Sequence, residues 1–154
     1  MKNLSLFAAL AAPLLLGTLC VASADEPSTQ SGKQKVLGIG GLFFRSEDPK
    51  GLSKWYEAHL GISPVPTSYE QKPWYQEAGP SVFAPFSKDT KYFGKPEQSW
   101  MVNFRVADLK AMVAQLRASG VSVEDPKSYP NGEFARLYDP EGNPIELWEP
   151  KDPK

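Results

Sequence analysis

The sequence predicts an α+β fold in which two βαβββ modules pair into an open, cup-shaped mixed β-sheet with the helices outside. Two observations lead to this prediction. The chain resembles itself at a shift of 60 residues, which is typical of a duplicated unit. Each copy begins with an alternating apolar segment and continues into a segment with helical periodicity. The expected domain covers residues 36–150, with modules at 36–94 and 98–150.

The repeat is clearest around the first helix of each module. FRSEDPKGLSKWYEAHLGIS, starting at Phe44, aligns with FRVADLKAMVAQLRASGVS, starting at Phe104. The aligned pairs are Phe44 with Phe104, Arg45 with Arg105, Asp48 with Asp108 and Lys50 with Lys110. One deletion then places GIS at Gly61 on GVS at Gly120.

In the first module, residues 36–45 are expected to form a strand. A helix follows, which opens near Pro49 and stops at Gly61, because proline suits a first turn and glycine a C-terminal cap. Its buried face is predicted to contain Leu52, Trp55, Tyr56 and Leu60. Shorter strands are expected at residues 65–69, 74–77 and 81–86.

The second module repeats this order with a strand at residues 99–106. Asp108 is the expected N-cap of the next helix, and Gly120 ends it. The apolar stripe of this helix comprises Leu109, Met112, Val113 and Leu116. Strands are expected at 122–124, 133–138 and 145–149, and DPEGN, starting at Asp139, predicts the hairpin turn before the last one.

The first 24 residues have the pattern of a secretory signal peptide. Lys2 precedes an apolar run, and Ala22-Ser23-Ala24 is a small-residue cleavage site. Lipidation at Cys20 is the alternative, but Leu19 before it does not fit such a signal. We therefore expect a periplasmic or secreted protein with a disordered leader at residues 25–35, which lack large apolar side chains.

Composition excludes several classes of site. The chain has one cysteine and one histidine, and cleavage would remove the cysteine. Thiol chemistry and a serine triad are therefore not expected, and His59, near the end of a helix, is expected to interact with the helix C-terminus or solvent. The formal net charge is −1, so neither nucleic acid nor an anionic membrane is an expected partner after signal cleavage.

Three stretches resemble the vicinal oxygen chelate family, which includes glyoxalase I, bleomycin-resistance proteins and extradiol dioxygenases. They are WYEAHLGI in the first module, NFRVADL in the second and LYDPEGNPIELWEP at the end. The resemblance implies paired βαβββ modules, a cup with a divalent metal at its base, and members that often form homodimers, sometimes by exchanging modules. A homodimer is therefore an open alternative.

The family's four metal-ligand positions fall on Gly41, Phe83, Met101 and Glu146. Only Glu146 is a good ligand for a hard divalent ion, because glycine has no side chain, phenylalanine no lone pair, and a thioether prefers soft metals. We therefore predict neither a metal nor another cofactor. A divalent ion held with borrowed ligands, such as Glu70, Glu77 or a dimer partner, is the alternative.

Strand alternation predicts which side chains face away from the helices and line the cup. Glu146 is then expected to form a structural ion pair with Arg105 or Arg136, or to leave an arginine for an acidic ligand. The aromatic side chains form either a core or a binding wall, and residues 69–94 would be its lid. The expected ligand-binding residues are Phe43, Arg45, Phe83, Trp100, Met101, Asn103, Arg105, Arg136 and Trp148.

These features favour a protein that binds a small aromatic or acidic molecule without a metal. The alternative from another class is a metal-dependent lyase, isomerase or dioxygenase of the glyoxalase I type that uses Glu146 as ligand or general base. A third hypothesis is a metal-free acid–base enzyme in which Glu146 is the catalytic residue.

Overall fold

The computed structural model describes residues 35–151. The predicted signal peptide and all but the last residue of the predicted leader lie outside this range. Contacts divide the chain into residues 1–40 and 41–154, and residues 35–40 contain no helix or strand. All helices and strands of the described residues lie in the unit that begins at Gly41. Across the part of the chain that the structure describes, no helix has the length and apolar character needed to cross a membrane.

Two helices and one mixed four-stranded sheet make up the regular structure. The elements are α1 (Pro49–Leu60), β1 (Val102–Arg105), α2 (Leu109–Ala118), β2 (Lys127–Tyr129), β3 (Gly132–Tyr138) and β4 (Pro144–Pro150). The strand order is β1-β4-β3-β2. β1 and β4 are parallel, whereas the other two pairs are antiparallel. The second half of the chain therefore has the βαβββ order, and the α+β class is confirmed.

Both helices begin and end near the predicted residues. The Asp48 carboxylate accepts a hydrogen bond from the Gly51 amide at 3.0 Å, and Asp108 accepts one from the Ala111 amide at 2.8 Å. These bonds satisfy amides that have no partner inside the helix. α1 ends at Gly61, whose φ of 68° lies in the left-handed region that favours glycine.

The core lies between the helices and one face of the sheet. Its buried residues are Leu52, Tyr56, Leu109, Val113, Leu116, Val123, Ala135, Leu137, Ile145 and Leu147. Ile145 and Leu147 of β4 have no exposed surface. Trp55, Leu60 and Met112, predicted on the buried helix faces, are partly buried at the margin of this core.

The first half differs from the prediction. Residues 36–45, 65–69, 74–77 and 81–86 form no strand. Their alternation shows that they suit a sheet, but a strand becomes stable only through pairing and burial against a neighbour. Here their large apolar side chains are mostly exposed. The described residues therefore form one βαβββ unit, and its pairing with a second unit into a cup stays a prediction.

One strand boundary in the second half is also wrong. Residues 122–124 contribute only an isolated bridge between Val123 and Leu137. The strand that pairs with β3 is instead β2, five residues beyond Ser122, where Lys127 lies opposite Phe134. Its residues are all exposed, so apolar alternation, which reports burial, could not reveal it.

Candidate functional site on the open face of the sheet

The sheet face opposite the helices carries polar and aromatic side chains in two adjacent rows, as the alternation predicts. In the first row, Asn103 of β1, Glu146 of β4 and Arg136 of β3 are register partners. In the second row, the register partners are Arg105, Trp148, Phe134 and Lys127. We call these the glutamate row and the aromatic row.

Glu146 is a buried carboxylate surrounded by donors. It is 8% exposed. Its Oε1 accepts a hydrogen bond from the Tyr92 hydroxyl at 2.6 Å, and its Oε2 accepts one from the Asn103 side-chain amide at 2.8 Å. The Arg136 guanidinium lies 3.7 Å from Oε1, too far for a good hydrogen bond but close enough for charge attraction. Of the two arginines predicted to pair with Glu146, it is Arg136 that does so.

Tyr92 connects the irregular segment before β1 to the glutamate row. The Arg136 guanidinium lies 4.5 Å from the centre of the Tyr92 ring, a cation–π contact. The ring also stacks on Phe86 with centroids 5.3 Å apart. Desolvation, followed by the hydrogen bond to Glu146, raises the pKa of Tyr92 to about 12. Tyr92 therefore stays a neutral donor to Glu146 at physiological pH.

This environment predicts how Tyr92 titrates. The difference in tyrosinate absorbance between wild type and Tyr92→Phe reports the ionisation of Tyr92. Plotted against pH, this difference should have its midpoint near 12, above the ordinary tyrosine pKa of 10.0. Because the folded pKa exceeds the unfolded one, the contribution of Tyr92 to stability is complete below pH 10 and is lost as pH rises toward the folded value. Ultraviolet titration of wild type minus variant measures this, and a midpoint near 10 would contradict the contact with Glu146.

Arg105 lies in the aromatic row without an acidic partner. Its guanidinium donates to the Glu77 carbonyl oxygen at 2.6 Å and packs against Gly79, where a Cβ would collide with it. Among residues 35–151 the ion pairs are Arg117 with Asp125, Arg136 with Glu146, and Lys151 with Glu133. Arg105 is therefore a surplus cation of the open face.

Trp148 and Phe134 stack beside Arg105. Their ring centroids are 5.9 Å apart and their planes differ by 9°. The indole nitrogen donates to the Asn131 carbonyl oxygen at 3.1 Å. Gly132, with φ of 151°, leaves the space that the indole fills. Trp148 is buried, whereas Phe134 keeps part of its surface open.

Several predicted site residues do not join these rows. Phe43 and Phe83 are 91% and 90% exposed, and Arg45 is exposed as well. The Trp100 ring packs on Phe44 with centroids 4.8 Å apart, and Met101 is partly buried. The roles proposed for these residues stay predictions. His59 contacts the Ser119 hydroxyl at 3.2 Å.

Sequence reasoning missed two residues of this face as candidates for the site. Lys127 extends the aromatic row at the far edge of the sheet, but β2 gave no apolar pattern from which to place it. Tyr92 was expected only as one of several aromatic side chains that the lid at residues 69–94 contributes to the cup wall, and not as a partner of Glu146. Its hydrogen bond spans 54 positions along the chain, and no local signal reports such a contact.

The described residues do not fit the metal site that the resemblance implies. Both Glu146 oxygens already accept hydrogen bonds, and its neighbours are donors and a cation, not ligands. Across residues 35–151, no three His, Cys, Asp or Glu side chains are grouped to hold an ion. Phe83 and Gly41 offer no donor atom on their side chains. The glutamate row therefore surrounds the Glu146 carboxylate with hydrogen-bond donors and a cation, an arrangement that does not fit a divalent metal ion.

A surface cavity of about 490 Å³ lies elsewhere, lined by Pro64, Val65, Pro66, Thr67, Gln71 and Lys72. None of these residues belongs to either row. Its walls carry one cation and otherwise uncharged side chains, so its chemistry is less specific than that of the sheet face. The open face remains the candidate site.

Comparison with known proteins identifies a family. A family model described as a glyoxalase-like domain matches residues 41–148, which is more than half of the chain. No curated protein matches.

Solved structures also match. A glyoxalase/bleomycin resistance protein from Streptomyces sp. CB03234 is 38% identical over 35% of this chain and 48% of its own, with a TM-score of 0.32. This chain therefore spans about half of that protein. TnmS3, an antibiotic binding protein from the same organism, is 26% identical over 68% and 88%, with a TM-score of 0.44. A lactoylglutathione lyase from Agrobacterium tumefaciens is 18% identical over 75% and 96%, with a TM-score of 0.51; this likeness concerns the fold.

Proposed function

Because the chain belongs to the glyoxalase-like domain family, as its resemblance to vicinal oxygen chelate proteins predicted, we propose that it binds a small aromatic acid on the open face of its sheet. The observation that carries this proposal is the aromatic row. Two stacked rings lie between Arg105 and Lys127, and neither cation has an ion-pair partner among residues 35–151.

The charge of the aromatic row favours an anionic ligand. Lys127 is exposed at the sheet edge, and Arg105 keeps donors beyond the one that binds Glu77. A guanidinium binds a carboxylate with two parallel hydrogen bonds, which gives orientation as well as affinity. The neighbouring Glu146 does not cancel this charge, because Arg136 already compensates the charge of Glu146.

The rings of the row supply the apolar part of the site. Phe134 is flanked by Trp148 on one side and by Tyr129, whose ring meets it edge-on at 5.6 Å, on the other. Aromatic walls with a few converging polar groups are typical of small-molecule sites. A planar ring of the ligand would lie against Phe134 while its acid group reaches Arg105 or Lys127.

Export, the two-module cup and a homodimer belong to the same proposal. The N-terminal pattern of residues 1–24 supports export, and the repeat at a shift of 60 residues supports a second βαβββ unit in the first half. The exposed apolar side chains of residues 42–44 and 82–86 would be buried by such pairing. Size measurements on the mature protein test whether a homodimer forms.

Titration calorimetry with 2-naphthoate and 2-naphthamide tests the binding proposal. We expect wild-type protein to prefer the acid, and Arg105→Met to lower its affinity for the acid by about tenfold or more, since a charge-assisted hydrogen bond contributes about 1.5–3 kcal/mol. Affinity for the amide should change little. Lys127→Met should have a smaller effect, because the Lys127 side chain is flexible and exposed to solvent.

Arg117→Met is the matched control, because Arg117 pairs with Asp125 at the end of α2 and lies in neither row. Its affinity for 2-naphthoate should equal that of wild type. Equal binding of acid and amide, or an Arg105→Met variant with unchanged affinity, would overturn the proposal. Metal analysis of the mature protein gives a second test: a stoichiometric ion whose removal by a chelator abolishes binding would favour the glyoxalase I-type alternative.

A further inference from the structure

We propose that Tyr92 occupies the subsite for a hydroxyl-bearing aromatic ring, which a phenolic ligand takes over by displacing the Tyr92 side chain from between Glu146 and Arg136. This inference rests on the proposed function, because the ligand binds to the same face. It narrows the ligand class from aromatic acids to hydroxyaryl acids.

The glutamate row recognises both features of a phenol. Glu146 is buried, and its carboxylate accepts a hydrogen bond from the hydroxyl at 2.6 Å. Arg136 covers the ring at 4.5 Å from its centre, and Phe86 stacks on it with an interplanar angle of 14°. The Asn103 side chain donates to the second oxygen of Glu146. Oε1 is therefore the oxygen that accepts the hydroxyl of the ring. A ring without a hydroxyl would leave Oε1 without its best donor.

Tyr92 itself reaches the described sheet through its side chain, since its main-chain N–H donates to the Thr90 hydroxyl within its own segment. The main-chain hydrogen bonds of its segment are local: Thr90 to Ser87, Gly94 to Lys91, and Gln98 to Lys95. None joins the segment to a strand of the described sheet. Tyr92 can therefore leave without breaking the β ladder, and 42% of its surface is already exposed.

Comparison with Tyr56 shows that this arrangement is unlike a structural tyrosine. The Tyr56 hydroxyl also donates to a carboxylate, that of Asp139 at 3.0 Å. Tyr56, however, is 9% exposed and belongs to a helix packed on the core. Displacing it would open the core, whereas displacing Tyr92 would uncover only the glutamate row.

The distance between the two rows fits one ligand. Asn103 is the register partner of Glu146, and Arg105 lies two residues beyond Asn103 on β1, so Glu146 and Arg105 are diagonal neighbours separated by about 7–8 Å. This is comparable to the length of a benzene ring with substituents at opposite ends. A hydroxyl at Glu146 and a carboxylate at Arg105 then belong to a single hydroxyaryl acid, whose ring replaces that of Tyr92 in the glutamate row. An aromatic acid without a hydroxyl lies against Phe134 instead.

Chemical complementation tests the subsite with p-cresol, the group that Tyr92→Ala removes, and 4-methylanisole, its methyl ether. We expect Tyr92→Ala to bind p-cresol at least about tenfold more tightly than wild type does, and to prefer it over the ether by a similar factor, because the ether cannot donate to Glu146. Calorimetry measures both affinities. Tyr75→Ala is the matched control: Tyr75 is 74% exposed, and its removal should leave cresol binding at the wild-type level.

Thermal melts establish that Tyr92→Ala is folded. If Tyr92→Ala does not fold, Tyr92→Phe replaces it as the test variant. Tyr92→Phe retains the ring but lacks the hydroxyl that competes with p-cresol for Glu146, so it should bind p-cresol more tightly than wild type does. Equal affinity for p-cresol and its ether, or no gain over wild type in a folded variant, overturns the subsite. Failure of the aromatic-acid proposal is seen separately, as loss of the discrimination between 2-naphthoate and 2-naphthamide in wild-type protein.

Discussion

Asp139→Ala is expected to lower the free energy of unfolding by about 3–5 kcal/mol, the cost of leaving several buried polar groups without partners. Asp139 is 4% exposed. Its Oδ1 accepts hydrogen bonds from the Glu141 and Asn143 amides at 3.0 and 2.9 Å. Its Oδ2 accepts from the Asn143 side chain at 2.8 Å and from the Tyr56 hydroxyl at 3.0 Å.

The substitution removes all of these acceptors at once. It releases the turn between β3 and β4 and also the contact between that turn and α1. The Tyr56 hydroxyl would then be buried without an acceptor. Burial, followed by the charge of Asp139, raises the pKa of Tyr56 above its ordinary value, which indicates how closely the two groups interact.

Urea unfolding followed by circular dichroism measures the loss. Asp125→Ala is the matched control, since the Asp125 side chain is 95% exposed in its ion pair with Arg117, and its removal should change the unfolding midpoint little. Tyr56→Phe should fall between the two, because it removes one of the bonds to Asp139. A midpoint for Asp139→Ala that equals that of Asp125→Ala would show that the turn does not depend on this carboxylate.

Local pattern was enough to predict the elements of the second half. Helix caps involve residues three positions apart, so Asp108 could be recognised directly. Alternation placed Ile145 and Leu147 on the core side and Glu146 and Trp148 on the open side, because a pleated strand has only two faces. The same reasoning placed Arg136 on the open side, as one of the two predicted partners of Glu146.

Contacts between distant segments could not be predicted in the same way. The Tyr56–Asp139 bond spans 83 positions and the Tyr92–Glu146 bond spans 54. Each depends on how a helix or an irregular segment lies against the sheet, which sequence periodicity does not encode. The sequence supplied two candidate arginines for Glu146, and only the three-dimensional arrangement assigns Arg105 to Glu77.

The first half shows the limit of the repeat argument. Similarity at a shift of 60 residues correctly predicted α1, because a helix forms its main-chain hydrogen bonds within itself. The strands predicted at residues 36–45 and 81–86 are absent, since a strand needs a neighbouring strand for its main-chain hydrogen bonds. Alternation therefore indicates that these segments suit a sheet, and pairing decides whether they join one.

Glu146→Ala is expected to lower the free energy of unfolding by about 2–3 kcal/mol, less than for a fully buried ion pair because its partners retain some solvent. The side chain of Arg136 is 20% exposed, so water can solvate part of the guanidinium charge that Glu146 compensates in wild type. Tyr92 and Asn103 lose their acceptor at the same time. If the row acts as one unit, removing Arg136 as well should cost less than the sum of the single changes.

Glu133→Ala provides the contrast within the same pair of strands. Glu133 also pairs with a cation, Lys151, at 2.6 Å, but with a more exposed side chain, so its loss should change stability little. A double-mutant cycle of Glu146→Ala and Arg136→Met, measured by urea unfolding, gives the coupling directly. Additive effects would mean that Glu146 is held by Tyr92 and Asn103 alone. A Glu146→Ala variant as stable as Glu133→Ala would show that the row contributes nothing to folding, and its carboxylate would then have to be explained by ligand binding alone.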